Sequence, residues 1–482
     1  MQGRTAFAVK AALDVGATYA DVRYVSRQSE TVHVRNGALE RLDSSSNIGV
    51  GVRVIAEGAW GFAATSDPTE SGVRDAARRA VDLARAAATT SREPVRLAEV
   101  EPVTDDVRAR VEIDPADVPL EDRVALLMDC DRLMRKHDVA VTTGYTSVLR
   151  QTQHFVSSEG ADIHEERIET GGGIGATAVD GTETQERSYP GSHGGQVMAR
   201  GWEVIEEMRL REHAEEIAAE AVALLTAPIC PSGAMDIILA GEMLALQVHE
   251  SCGHPIELDR VLGTEAAYAG TSFLTPDKLG DFRYGSDAVS ITADATIPGG
   301  LGSFAYDDEG VPAQRTDIVR EGMFVGYLTS RETAVQLDLG PSGGCMRADG
   351  WQRQPLIRMT NINLEPGEMS LAEIIGSTER GLLMDVNESW SIDDKRLNFQ
   401  FGCEVARVIE DGEIVGIVRR PTYTGITPEF WGSCDAVADE ETWRVWGIPN
   451  CGKGEPGQTA HVGHGVSAAR FRNVQVGVLG DE

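Results

Sequence analysis

Hydrophobic positions open the chain at helical spacing, with Phe7, Val9, Ala12 and Leu13 marking a helix over residues 3–16 that stops near Gly16. The pattern then changes to alternation. YADVRYVSRQSETVHVRNG predicts a strand turning at Asn36-Gly37, and ALERLDSSSNIGVGVRVIAEGAWGFAATSD predicts two more about a turn at Glu57-Gly58. From Glu70 to about Ala88 a helix is expected, its apolar face made by Val73, Ala76, Ala77, Ala80, Val81 and Leu83. Residues 89–118 are Pro-rich, acidic and loop-like, and 120–137 reads as a helix with basic residues in its last turn. Strands are expected through 139–189, interrupted by the glycines 171–173. That GGGIG run opens no helix, so it is assigned to close packing or a turn rather than to phosphate binding. Residues 201–226 read as one long helix whose Glu-rich run is a solvated face, broken by the two prolines of TAPICPSG.

Beyond that break AMDIILAG reads as a buried strand and EMLALQVHE as a helix. From 288 to 432 short strands alternate with turns at Glu309-Gly310, Glu321-Gly322 and Asp411-Gly412, with one helix near 370–380. A chain of 482 residues exceeds one ordinary core. The reading is α+β: an N-terminal domain of helix and antiparallel sheet over 1–228, and a C-terminal β-rich domain over 229–482 carrying one metal-binding helix.

That helix ends in VHESCGHPIE, residues 248–257. His249, Glu250 and His254 are the parts of a hydrolytic metal site, two imidazole ligands and a carboxylate able to take a proton from water. In the usual H-E-x-x-H motif the histidines are four apart on one helix face. Here they are five apart, and a regular helix would splay them by roughly 140°. A π-bulge absorbs one residue and reunites them. Gly253 adds backbone permissiveness, and Pro255 is expected to bias His254 away from αR geometry. The bland alternative is two histidines satisfied at a helix end near Glu257 and Asp259.

Two histidines leave a catalytic zinc one protein ligand short. Cys252, within the motif, is assigned to packing. Glu257 and Asp259 are candidates to bind or to orient the imidazoles. A third candidate is Cys451 in PNCGKGEPGQTAHVGHG, a Gly- and Pro-rich stretch read as a shaped loop presenting a thiolate. His461 and His464 follow it as candidate ligands, oxyanion stabilisers or structural residues.

Composition narrows the partners. A formal net charge of −32 argues against nucleic acid, which is bound by basic surfaces. Hydrophobic content of 41% and charged content of 25% are those of a soluble globular protein, and no run approaches a bilayer span. The N-terminus lacks the apolar core of a signal peptide, and seven scattered cysteines argue against a disulfide framework. A cytoplasmic protein with reduced thiols and no membrane association is expected.

HESCGHPIELD and NCGKGEPGQ, with the trailing VGHGVSAARFRNVQVG, resemble the signatures of the TldD half of the TldD/PmbA (TldE) peptidases. The opening helix and hairpin, EGAWGFAATSD and PTYTGITPEFWGS resemble that family too, so the likeness spans nearly the full chain. The resemblance implies a zinc metallopeptidase with an H-E-x-x-x-H helix and a distant cysteine, which makes His249, His254 and Cys451 ligands of one Zn2+ and Glu250 the base. It also implies a dimer, since a motif-bearing half pairs with an inactive PmbA/TldE-like paralogue; pairing with itself is the alternative. Ser251-Cys252 departs from the alanine and apolar residue the family pattern suggests, with helix packing or redox sensitivity as the property at stake.

The expected activity is hydrolysis of amide bonds in short or unfolded peptides, an extended chain adding to a sheet edge. Glu250 accepts a proton from the attacking water and returns it to the leaving amine. Stabilising the oxyanion needs a further donor, with Tyr423, His461 and His464 as candidates. Two other readings remain: a metallohydrolase acting on a small-molecule amide or other bond in a natural-product pathway, and a non-catalytic, metal-stabilised partner subunit. Mutation of Glu250 separates the last from the first two.

Overall fold

The computed structural model describes residues 2–192 and 195–477. Helix α1 (Gln2–Asp14) leads into a long antiparallel hairpin of β1 (Tyr19–Arg35) and β2 (Ala38–Ala56), followed by β3 (Ala59–Thr65). Asn36 and Gly37, and again Glu57 and Gly58, all take positive φ, the geometry that lets a two-residue turn follow the twist of its strands. Helix α2 (Glu70–Ala88) starts where the Thr69 hydroxyl accepts from the Gly72 amide at 3.2 Å. It buries Val73, Ala76, Ala77, Ala80, Val81 and Ala84. Leu83, expected on that face, is instead 53% exposed, and the smaller Ala84 packs in its place, 2.8 Å from where a side chain at Gly61 would lie.

The loop-like stretch 89–118 holds one short strand, β4 (Thr104–Val107), which pairs in parallel with β6 (Asp162–Asp180). Helix α3 (Leu120–Met134), β5 (Val141–Ser157), β6, β7 (Glu183–Tyr189) and β8 (Gln196–Met198) complete this half. The strand order is β3-β2-β1-β5-β6-β4, with β7 and β8 also on β6. The glycines 171–173 do not interrupt β6; the ladder with β5 runs straight through them. Their role is close packing, because a Cβ on Gly171 would stand 2.5 Å from Val197 and one on Gly172 would stand 2.7 Å from the Tyr145 carbonyl. The single helix expected over 201–226 is two, α4 (Glu203–Met208) and α5 (Leu210–Leu224), parted at Arg209, whose φ of +51° breaks the helical ladder.

In the second half β9 (Gly233–Leu239) lies inside a nine-stranded sheet, parallel to Arg380–Met384 and antiparallel to Ala469–Val476. Ile237, Ile238 and Leu239 are wholly buried, as a strand covered on both faces requires. A six-stranded sheet lies beside it and ends in the antiparallel pair Arg444–Lys453 and Gln458–Val466. Helix α6 (Gly241–Val248) follows β9 and touches strands of both sheets, so Met243 through Val248 are buried all round. Buried ion pairs Arg23–Asp308 and Arg187–Glu404 join the two halves. The arrangement is α+β, as expected, and no helix among the described residues is long and apolar enough to cross a membrane.

Candidate metal centre

Beyond Val248 the helix changes pitch. His249–Gly253 forms a π turn and His254–Ile256 a turn of 3-10 helix, so the extra residue between the histidines is absorbed. The backbone reasons differ from those expected. His254 stays in αR geometry at φ −65° and ψ −44°, because Pro255 sits at the start of the following turn, where its ring clashes with nothing. Gly253 is helical too, and its need for a hydrogen is close approach: a Cβ would lie 2.3 Å from the Met359 sulfur. Ser251 is held from three sides. Its hydroxyl donates to the Gln247 carbonyl at 2.5 Å and accepts from Trp431 Nε1 at 2.9 Å, while its carbonyl accepts from Tyr284 at 3.0 Å. This anchoring fixes the wound-out turn in the core. Cys252 is buried packing, its thiol pushed up to about 12 by burial.

The turn brings His249 and His254 together with Cys451, and one ligand atom from each lies within 4.8 Å of the others. Cys451 Sγ is 3.8 Å from His254 Nε2. All three residues are buried. Cys451 belongs to the strand Arg444–Lys453 rather than to a loop; Gly452 continues the strand, and the turn that holds Gly454 and Gly457 comes only after Lys453. Burial would raise the Cys451 thiol, yet His254 and Arg358 outweigh it and leave the thiol below its ordinary range. Arg358 also donates to the Cys451 carbonyl at 2.5 Å.

Hydrogen bonds fix which ring nitrogens face this point. The Ile362 carbonyl can only accept, so His464 Nδ1, at 3.2 Å, carries the proton. Burial holds His464 neutral, far below the ordinary histidine range, which makes its Nε2 an acceptor for His249 Nδ1 at 2.8 Å. His249 Nε2 is then the bare nitrogen. His254 Nδ1 lies 3.0 Å from the Glu257 carboxylate, which turns Nε2 toward the Cys451 thiol. Both imidazoles are held from behind and converge on one place, the arrangement in which outer partners orient metal-ligating histidines.

Behind His254 lies a buried charge cluster. Lys453, wholly buried two residues along the strand from Cys451, contacts Asp259 at 2.7 Å, Glu257 at 3.4 Å and Glu265 at 3.6 Å. Burial would raise Glu257, but Lys453 and His254 reverse this and hold it far below the usual carboxylate range. Asp259 is raised by burial despite Lys453. The cluster ties the Cys451 strand to the end of the histidine turn.

Glu250, buried beside the ligand set, pairs through Oε2 with Arg396. Burial would raise its pKa, and the neighbouring cations, Arg396 foremost, lower it below the usual carboxylate range. These groups line a cleft of about 250 Å3 with Glu242, Leu246, Trp390 and the segment 447–452. The other candidates lie elsewhere. Tyr423 is buried behind α6 and donates to Gln247 at 2.9 Å, and His461 pairs with Glu169 in a different cavity. His464 stands behind His249, and Asp259 and Glu257 behind His254. Arg396 and Trp390 carried no sequence signal, because they sit on an ordinary-looking hairpin far along the chain. Lys453 did: it is two residues from Cys451, hence on the same strand face.

Three family models match in succession: PmbA/TldA metallopeptidase domain 1 over residues 20–86, the central domain over 113–225 and the C-terminal domain over 232–478. A protein named a metalloprotease from Methanothermobacter thermautotrophicus is 32% identical over 461 residues, 95% of each chain. One named a zinc metalloprotease TldD homolog, from Saccharolobus solfataricus, is 23% identical, covering 97% of this chain and 98% of its own. The fold matches that of TldE from Thermococcus kodakarensis with a TM-score of 0.76 at 18% identity, over 98% of this chain and 100% of that one. With three family models matched in succession and a 32%-identical relative covering 95% of it, the chain belongs to the PmbA/TldD metallopeptidase family.

Proposed function

We propose that the chain is a zinc-dependent metallopeptidase that hydrolyses amide bonds of short or unfolded peptides, with Glu250 as general base and then general acid. The observation that carries this is the meeting of His249, His254 and the Cys451 thiol within 4.8 Å of one another beside the buried Glu250 carboxylate in a cleft. Two imidazoles and a soft thiolate suit zinc, and a relative bears the name zinc metalloprotease. His249, His254 and Cys451 would hold the ion, with His464 and Glu257 orienting the rings. When bound, zinc supplies a Lewis acid that polarises a carbonyl and makes water acidic near neutral pH.

The remaining work falls to the protein. Glu250 takes the proton of the attacking water on one carboxylate oxygen and delivers it to the leaving amine. The strand Asn387–Ile392 is an edge of the nine-stranded sheet and carries Trp390 at the cleft. A peptide adding to such an edge is held by main-chain bonds with little demand on sequence, and its backbone then enters the cleft. The functional unit is a dimer, with an inactive PmbA/TldE-like paralogue or with itself, working in the cytoplasm.

The test is digestion of a peptide panel and of small amides by the wild type and Glu250→Ala, each with and without a co-expressed paralogue, with zinc measured in every sample. The expected result is zinc in both proteins and peptide cleavage by the wild type alone. Cleavage by the Glu250→Ala protein at the wild-type rate, or absence of metal after zinc supplementation, refutes the reading.

A further inference from the structure

The three oxyanion donors expected from the sequence, Tyr423, His461 and His464, all lie outside the cleft, whereas Arg396 lines it beside Glu250. Among the described residues that line the cleft, Arg396 brings the permanent positive charge. Building on the hydrolytic reading of this cleft, we propose that Arg396 is a catalytic residue whose guanidinium receives an oxygen anion presented by the substrate next to the scissile bond. That anion is either the tetrahedral oxyanion or the terminal carboxylate of a short peptide.

The backbone is built to deliver this side chain. Arg396 has a φ of +63°, left-handed geometry that a residue with a side chain keeps only where its surroundings hold it there. Here they do. The Arg396 amide donates to the Asp393 carbonyl at 2.9 Å, and the Asp393 carboxylate accepts from the Leu397 amide at 2.7 Å and from Asn398 Nδ2 at 2.6 Å. Thr427 Oγ1 donates to the Arg396 carbonyl at 2.8 Å. Four bonds thus pin a turn whose left-handed position would otherwise favour glycine or asparagine.

The side chain is not used up where it lands. Only Nη1 pairs with Glu250, and Nε is buried with no hydrogen-bond partner among the described residues. A buried donor left unmade is costly, so a ligand that completes it is favoured. The side chain remains 15% exposed and lines the cleft together with Glu250. A guanidinium has N–H groups for two acceptors at once. It can steady one Glu250 oxygen while donating to the substrate, and charge that develops in a site shielded from water is stabilised far more than in solvent.

The experiment compares zinc-loaded wild type, Arg396→Ala and Arg396→Lys for binding of phosphinic peptides, made with either a free or an amidated C-terminus, by titration calorimetry. A phosphinate carries the anionic oxygens of the tetrahedral state. Expected for Arg396→Ala are unchanged zinc content and binding weaker by about 100-fold, with part of the loss restored in Arg396→Lys. An equal loss for both peptides assigns the anion to the oxyanion, and a loss confined to the free C-terminus assigns it to the terminal carboxylate. Wild-type affinity in Arg396→Ala, loss of zinc from that variant, or a wild type that binds neither peptide overturns the proposal. Phosphinate binding by a wild type that cleaves no peptide would instead overturn the peptidase reading and leave this one standing.

Discussion

His464 accepts a hydrogen bond from His249 across 2.8 Å, and this contact, rather than the spacing of the motif, determines which nitrogen His249 can offer a metal. Loss of this partner frees the His249 ring to rotate and to take the wrong tautomer. Replacing His464 with Ala is expected to weaken zinc binding by about 10–100-fold. Competition against a chromogenic chelator measures this, with circular dichroism as the check on folding. Unaltered affinity would mean that the pair is only packing.

Removing the thiolate is expected to be more severe. Cys451→Ala leaves two imidazoles, short of the usual three protein ligands, so the purified protein should carry well under one equivalent of zinc by elemental analysis. Full occupancy in that variant would show that Cys451 is not a ligand.

Lys453 neutralises a pocket holding Glu257, Asp259 and Glu265. Substituting Met preserves the bulk and strands these carboxylates without their buried partner, a change expected to cost about 3–5 kcal/mol of stability. Urea unfolding reads this directly. A variant within experimental error of the wild type would show that the cluster is solvated or differently paired.

Gly253→Ala places a methyl group within 2.3 Å of the Met359 sulfur. The expected cost is about 1–3 kcal/mol from overpacking, and because Met359 is flexible the double variant Gly253→Ala with Met359→Ala should regain part of it. If the double variant is less stable than the sum of the two single changes predicts, the clash is not with Met359.

Acid should destabilise the metal-free protein. Burial keeps His249 and His464 below the ordinary histidine range. Below pH about 6.5 the unfolded chain protonates both while the native state does not, so the unfolded state binds more protons and stability falls as pH falls. Each histidine contributes a slope of up to about 1.4 kcal/mol per pH unit until its folded pKa is reached. Melting temperatures of chelator-treated protein from pH 7.5 down to 5.5 should therefore decline, and less steeply in His464→Asn. A flat profile would contradict the assignment of both rings as neutral and buried.

What the sequence alone determined is local: the hairpin turns at Asn36-Gly37 and Glu57-Gly58, the strands β1 and β2 that flank the first of them, the strand-then-helix approach of β9 and α6, and the need for a distorted turn between His249 and His254. Each follows from periodicity, from glycine's access to positive φ, or from the angle per residue of a helix, and so can be read within a short window. The break at Arg209, the unbroken course of β6 through its glycines and the αR geometry of His254 escaped that window, because packing decided them. The site divides in the same way. His249, Glu250 and His254 share one turn and are visible as a motif, whereas Cys451 approaches them only because the six-stranded sheet lies against α6. Arg396 arrives from a third segment, and the roles of Glu257, Lys453 and His464 depend on which buried groups they meet. Charge pairing and tautomer choice are properties of a low-dielectric neighbourhood assembled from distant segments, and only the tertiary structure sets them.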